Sequence, residues 1–410
     1  MEYIPLVYFS FLFLKTIRND KQISVGSLIL LFYVFVSFFG VLVVRLKIMD
    51  RIPDFSIIGT LLYCSLLTLV ISPFVKFKPH LIQGIDFDDR NRKTYFTICW
   101  VFIVLNALTI LLSWDKLMLS FTMEFYDIRK DYYDDSTNVG GSQALIQFVS
   151  TLTPCFSPLL ILFFFFGLIK FPEKKIMNTL LLISSASYAI LSVITAARTQ
   201  VIYWLLMFST LLVFFYHLLS KGVKRKVIMY GGSILAISVL YMSAVTISRF
   251  DTKTTSTMSS QESLIYYTGQ QYLTFIDTYN HYSFDGITVD RTFPIISKYV
   301  LGHRNFNVAN YREYQTNRLH TPTGVFFTLF GDAMLDYGIF GMCIYGFILY
   351  LLIKYNLPKN KSTISLSHLI IYVLLLRIPV LGIFAYMYAS IGYSFFILGS
   401  IAIAYILKNK

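Results

Sequence analysis

Apolar residues along this chain come in long blocks, separated by more polar gaps. The blocks run over residues 2–17, 23–44, 56–75, 94–113, 144–169, 176–197, 199–219, 227–247, 324–353, 363–382 and 384–407. A helix of about twenty apolar residues crosses the roughly 30 Å hydrocarbon layer with every backbone polar group satisfied internally. The pattern therefore predicts an all-α integral membrane protein with about eleven spans and its two termini on opposite sides. The first block is short for a crossing, but Lys15 and Arg18 at its end could snorkel to the interface. Its positive charges follow the apolar stretch and no small-residue cleavage site comes after, so it reads as a first span and not as a removable signal.

The ninth block is longer than a membrane needs. Thr321, Pro322, Thr323 and Gly324 read as a helix start, and about thirty residues to Ile353 make roughly 45 Å of helix. The seventeen residues from Tyr337 to Ile353 nearly suffice to span. That would leave Asp336 at headgroup level and Asp332 one turn beyond it.

Two segments are too long and too polar to be connectors, residues 114–143 and residues 248–323. Long segments of this kind are usually functional or disordered. In the second, Ile265, Tyr272, Ile276 and Tyr279 are spaced to share one helical face, which predicts amphipathic helices lying over the membrane surface. The chain then divides as residues 1–247, eight spans with the smaller loop at 114–143; residues 248–323, a capping loop; and residues 324–410, three more spans. No internal repeat is visible.

Composition agrees: 56% of the 410 residues are hydrophobic and 14% charged. The formal net charge of +13 would suggest nucleic acid in a soluble chain. Here the positive charges sit between apolar blocks, so they report topology and no nucleic-acid partner is expected. With the amino terminus outside and the carboxyl terminus inside, the inner loops hold twenty Lys and Arg against eight in the short outer loops, the asymmetry that the positive-inside rule demands. Both long polar segments then face outward. Cys64, Cys99, Cys155 and Cys343 lie inside apolar blocks without a CxxC spacing, which predicts neither disulfide framework nor zinc site.

Ionisable residues near the spans are the candidates for chemistry, because a charge in the membrane is costly and usually functional. Arg198 sits in the hairpin "TAARTQ", Arg249 ends the eighth block and Arg377 lies in "LLLRIPVL", all on the predicted outer side. Each could cap a helix end or meet ordinary lipid phosphate. Together, beneath a loop that holds Arg291, Arg304, Arg312 and Arg318, they point to an anion site. A guanidinium fork matches phosphate oxygens bidentately and stays charged, so it suits a diphosphate leaving group with no metal or other cofactor.

His281, His303 and His320 lie in the long loop without a metal-ligand spacing, and His320 directly precedes the ninth block. Asp332 and Asp336 share a helical face at i, i+4 and repel unless a cation intervenes or one holds a proton. Two readings stay open for them: a staple to a loop arginine, or a base that takes a proton from a sugar hydroxyl. "DFDD" at residues 86–89 has the look of a nucleotide-sugar DxD, but an inner loop of about eighteen residues is too small for a nucleotide-binding domain, so it reads as a solvated acidic cluster.

This layout, with "DIRKDYY" in the earlier loop and "GVFFTLFGDAMLDYGIFG" opening the ninth block, resembles the Wzy-type O-antigen polymerases, the repeat-unit polymerases of bacterial surface glycans. Some members carry Arg, ten residues and Gly in each outer loop, matched here by Arg129 with Gly140 and Arg291 with Gly302. The resemblance implies a GT-C-like glycosyltransferase in the bacterial inner membrane, which moves a glycan from undecaprenyl diphosphate onto the next lipid-linked repeat unit. A chain-length regulator and a flippase are the implied partners, besides membrane lipid. Arg198, Arg249 and Arg377 would then hold the diphosphate; Arg129, Arg291 and Arg318 would bind glycan or complete the clamp; and Asp336, Asp332 or His320 would be the base. An O-antigen ligase uses the same donor with another acceptor, and a lipid-linked glycan flippase would be a transporter, though one expected to show repeats and short outer loops.

Overall fold

The computed structural model describes residues 1–49, 52–120, 152–195, 198–251, 259–284, 286–302, 308–321, 327–358, 362–386, 388 and 391–408. In chain order the helices are α1 (Ile4–Asp20), α2 (Val25–Arg45), α3 (Ile57–Lys76), α4 (Arg92–Leu112), α5 (Trp114–Ser120), α6 (Ser157–Lys170), α7 (Lys175–Leu191) and α8 (Thr199–Phe215). They continue as α9 (Lys221–Asp251), α10 (Ser260–His281), α11 (Pro294–Tyr299), α12 (Val308–Leu319), α13 (Thr328–Asn356), α14 (Leu366–Leu381) and α15 (Ile391–Ile406). Two three-residue strands, β1 (Gly84–Asp86) and β2 (Thr363–Ser365), pair in parallel with Ile85 opposite Ile364.

Helix occurs in every block that the apolar pattern marks. Among the described residues, seven helices are long and apolar enough to cross a membrane: α2, α3, α4, α7, α8, α9 and α13, while α6, α14 and α15 are apolar but shorter. Local chemistry sets their ends. The Ser24 hydroxyl accepts from the Ser27 N–H at 3.3 Å and the Ser27 hydroxyl accepts from the Ser24 N–H at 2.8 Å, a reciprocal cap on α2. Ser56 caps α3 by accepting from the Gly59 N–H at 3.1 Å.

The chain forms two compact units, Met1–Pro79 with Gln261–Asn360 and Leu374–Ile397, and His80–Ser260 with Lys361–Val373 and Leu398–Lys410. In the first unit α10 packs against α2 and α3. In the first unit Phe9, Tyr33 and Tyr63 form an aromatic core between α1, α2 and α3, with Phe9 5.4 Å from the Tyr33 ring and 6.3 Å from that of Tyr63.

The second half of α10 is buried in this unit. Its predicted face meets α3, with the Tyr272 hydroxyl 2.7 Å from Thr60 Oγ1 and the Tyr272 ring 5.0 Å from Tyr63. Its Gly269 lies so close to α2 that a Cβ there would sit 2.4 Å from the Phe39 carbonyl carbon. Small residues permit such backbone approach. The other side of α10 is polar yet also sealed: Gln270, Gln271, Thr274 and Thr278 are fully buried.

The second unit is built on α6, α7 and α8 around fully buried Phe163, Phe165 and Phe166. Trp204 Nε1 donates to Ser185 Oγ at 3.1 Å and Ser157 Oγ donates to the Ser185 carbonyl at 2.6 Å, which ties α6, α7 and α8 together. The "DFDD" motif is structural in this unit. Phe87 packs 5.2 Å from Phe166, and Asp88 caps a short turn by accepting from the Arg90 N–H at 3.0 Å and pairing with its guanidinium at 2.7 Å.

Candidate functional site

Gly338 divides α13. Its φ of 73° and ψ of 176° are non-helical and open only to glycine without strain, so the ten residues Thr328–Tyr337 form a separate segment ahead of the rest of the helix. Asp332 and Asp336 sit on this segment, fully buried at 1% and 0% exposure.

The loop segment 286–292 lies against them. Asp336 Oδ1 accepts from the Thr288 hydroxyl at 2.8 Å and shares the Arg291 N–H with Oδ2, at 3.2 and 3.1 Å. Oδ2 further accepts from the Thr292 N–H and the Thr292 hydroxyl, both at 2.7 Å. The Asp336 carbonyl takes the Thr288 N–H at 2.8 Å. One turn earlier, Asp332 Oδ1 accepts from Arg291 Nε at 2.6 Å, and the guanidinium lies 5.6 Å from the centre of the Phe327 ring. Two like charges on one face are thus resolved: Asp332 has a cation, and Asp336 is solvated by the loop backbone and two threonines.

This geometry matches the staple of the two readings open for these aspartates. Both Asp336 oxygens are occupied, and the acid is closed to solvent. Arg291 is the fastened group, charge-paired and 2% exposed.

Arg377 presents the opposite arrangement in the same unit. It is 1% exposed on apolar α14, and its Nε and Nη1 have no hydrogen-bond acceptor among the described residues. Aromatic faces surround it instead: Cζ lies 4.0 Å from the centre of Tyr393, 4.9 Å from Phe396 and 6.0 Å from Tyr388. Tyr388 is held by its hydroxyl, which donates to the Leu374 carbonyl at 2.6 Å. An aromatic row joins the two arginine sites, from Tyr388 to Tyr386 at 5.8 Å, Tyr345 at 5.9 Å and Tyr337 at 5.6 Å. The Tyr337 hydroxyl bonds Thr292 Oγ1 beside Asp336.

Arg318, at the end of α12, donates through Nη2 to the Ser283 carbonyl at 2.6 Å and to Ser283 Oγ at 2.9 Å. His320 is exposed with a left-handed φ of 51°. His281 bonds the Asp277 carbonyl at 2.8 Å, a local helical contact. Arg198 is half-buried just ahead of α8, in the second unit. Arg249 falls near the end of α9 and its side chain lies outside the described residues, as do Arg129, Gly140, His303, Arg304 and the Arg312 side chain. Among the described residues no group of three or more His, Cys, Asp or Glu side chains is placed to hold a metal ion.

Sequence reasoning missed the threonines around Asp336 and the aromatic enclosure of Arg377. The first had a signal in "TVDRT", where Thr288 and Thr292 flank the arginine; the second lay in the density of rings in "YMYASIGYSFF". Comparison with models of known protein families, with curated proteins and with solved structures gives no match.

Proposed function

We propose that this chain is a glycosyltransferase that polymerises lipid-diphosphate-linked oligosaccharide repeat units at a membrane surface, and that Arg377 receives the diphosphate. The observation that supports it is the buried Arg377 guanidinium, which has aromatic faces around it and two N–H groups without an acceptor. An unpaired buried charge is strongly disfavoured, and cation–π contacts offset only about 2 kcal/mol of that when desolvated. A phosphate oxygen pair would satisfy both. The Tyr393 ring then acts as a placeholder that gives way as the anion arrives.

In the reaction, a hydroxyl oxygen of the acceptor sugar forms a bond to the anomeric carbon of the donor. The bond from that carbon to the diphosphate oxygen breaks and its electron pair leaves with the diphosphate, whose growing charge Arg377 stabilises. The hydroxyl proton passes to a base. Of Asp336, Asp332 and His320, His320 is the exposed one, and its ring is not engaged in the loop staple, so we assign it the role of base. The acid staple supports the geometry by holding loop 286–292 in place.

The test is mass spectrometry of lipid-linked glycans in cells that lack the protein, then in cells that carry Arg377→Met or Arg377→Lys. Single repeat units should accumulate in the deletion strain and with Arg377→Met. Long polymer that stays on its lipid would point to a ligase, and an unchanged profile would remove the glycosyltransferase reading.

A further inference from the structure

A pocket of about 160 Å³ opens in the first unit between the residues after α10, loop 286–290 and α12. Tyr282, Thr288, Asp290, Tyr314, Gln315 and Arg318 line it. Three of the lining residues are held by hydrogen bonds within the protein. Thr288 is tied to Asp336 by its hydroxyl and its N–H, both at 2.8 Å. Arg318 is fastened to Ser283, and Asp290 accepts from the Ser297 hydroxyl. Pre-formed polar walls of this kind bind with little ordering cost.

The charge balance selects the ligand class. Asp290 and Arg318 supply one charge of each sign, so the pocket offers no net attraction to a diphosphate, and a carboxylate in its wall repels one. What it offers is a mixture of acceptor and donor groups, with the Tyr314 ring 55% exposed at the rim. A neutral ring whose edge carries hydroxyls and whose face is apolar fits both features, since the hydroxyls exchange hydrogen bonds with Asp290, Gln315 and Arg318 while the face covers an aromatic ring. The volume admits one such ring.

From this we infer that the pocket is a subsite for a single neutral sugar residue of the glycan, distinct in chemistry from the anion seat at Arg377; the inference rests on the glycosyltransferase reading. Tyr314 and Gln315 are its recognition residues. Asp336 is its positioning residue, because its hydrogen bonds hold the loop that forms one wall. Anion and sugar are therefore recognised by different arginines: Arg377 takes charge, and Arg318 takes hydroxyls.

The experiment uses full-length protein in lipid nanodiscs and two probes: the repeat-unit oligosaccharide released by mild acid from the host's lipid-linked fraction and freed of phosphate, and inorganic pyrophosphate. Tyr314→Ala, on an exposed helix position, should weaken oligosaccharide binding by about tenfold or more and leave pyrophosphate binding unchanged. Gln315→Leu should do the same, with its melting temperature as a control for folding. Oligosaccharide affinity within about twofold of the parent protein in a folded Tyr314→Ala variant would overturn the subsite, as would displacement of the oligosaccharide from the pocket by pyrophosphate. The two readings separate cleanly. If the deletion strain shows a normal glycan profile but Tyr314→Ala loses oligosaccharide binding, the polymerase fails and the sugar subsite stands. If single repeat units accumulate and Tyr314→Ala binds normally, the polymerase stands and the subsite fails.

Discussion

Arg291 and Arg377 are almost equally buried, at 2% and 1% exposure, yet they are held in opposite ways. Arg291 faces a carboxylate 2.6 Å away that is itself buried, so its charge is matched inside the protein and its loop is fastened. Arg377 faces three aromatic rings and no acid among the described residues. Burial alone therefore does not distinguish the two arginines; the partner does. A matched charge contributes order to the fold, whereas an unmatched one is tolerated at a cost that binding can recover.

The largest effect should come from unmatching the matched pair. Asp332→Asn leaves the Arg291 charge buried and should lower stability by about 3–5 kcal/mol, read as thermal unfolding in detergent. The double change Arg291→Met with Asp332→Leu should restore most of that loss. Arg377→Met removes a charge that has no acid beside it, so it should hold or raise the melting temperature while pyrophosphate binding is lost. A melting temperature that falls as far in Arg377→Met as in Asp332→Asn would break the contrast.

A smaller effect is expected at Asp336. In Asp336→Asn one oxygen becomes an NH₂ group that faces the N–H donors of Arg291 or Thr292, which should cost about 1–3 kcal/mol. Turnover should drop only in proportion to folded protein. Thermal stability and single-turnover rate measured on one preparation decide the matter: a stable variant whose rate falls about a hundredfold or more would make Asp336 the base. The smallest effect tests the same logic on a neutral group. Gln270 is fully buried and neither end of its amide has a partner among the described residues, so Gln270→Met should be neutral or stabilising by about 1 kcal/mol. A clear loss of stability on chemical denaturation would mean that the amide is satisfied by buried water and that the comparison with Arg377 does not extend to neutral groups.

The positions of the apolar helices were legible along the chain because crossing a membrane requires about twenty consecutive apolar residues, and that requirement is local. The i, i+4 placement of Asp332 and Asp336 was legible for the same reason, and so was the need for a cation or a proton between them. The break in α13 at Gly338, by contrast, was not legible in the apolar pattern, which runs through it unchanged.

Other features depended on residues far apart in the chain. That α10 is enclosed against α2 and α3 follows from a close approach of Gly269 to Phe39 and Gly40, more than two hundred positions away in sequence. A helix with polar residues on one side reads as a surface helix until its neighbours are known. Which arginine pairs with Asp332, and which is left to aromatic rings, is likewise a matter of partners. Arg291 stands between Asp290 and Thr292 and Arg377 in the apolar run "LLLRIPVL", and only the fold brings the Asp332 carboxylate to one and Tyr393 to the other. Periodicity records which way a side chain faces, but the energy of a buried charge is set by what lies across from it.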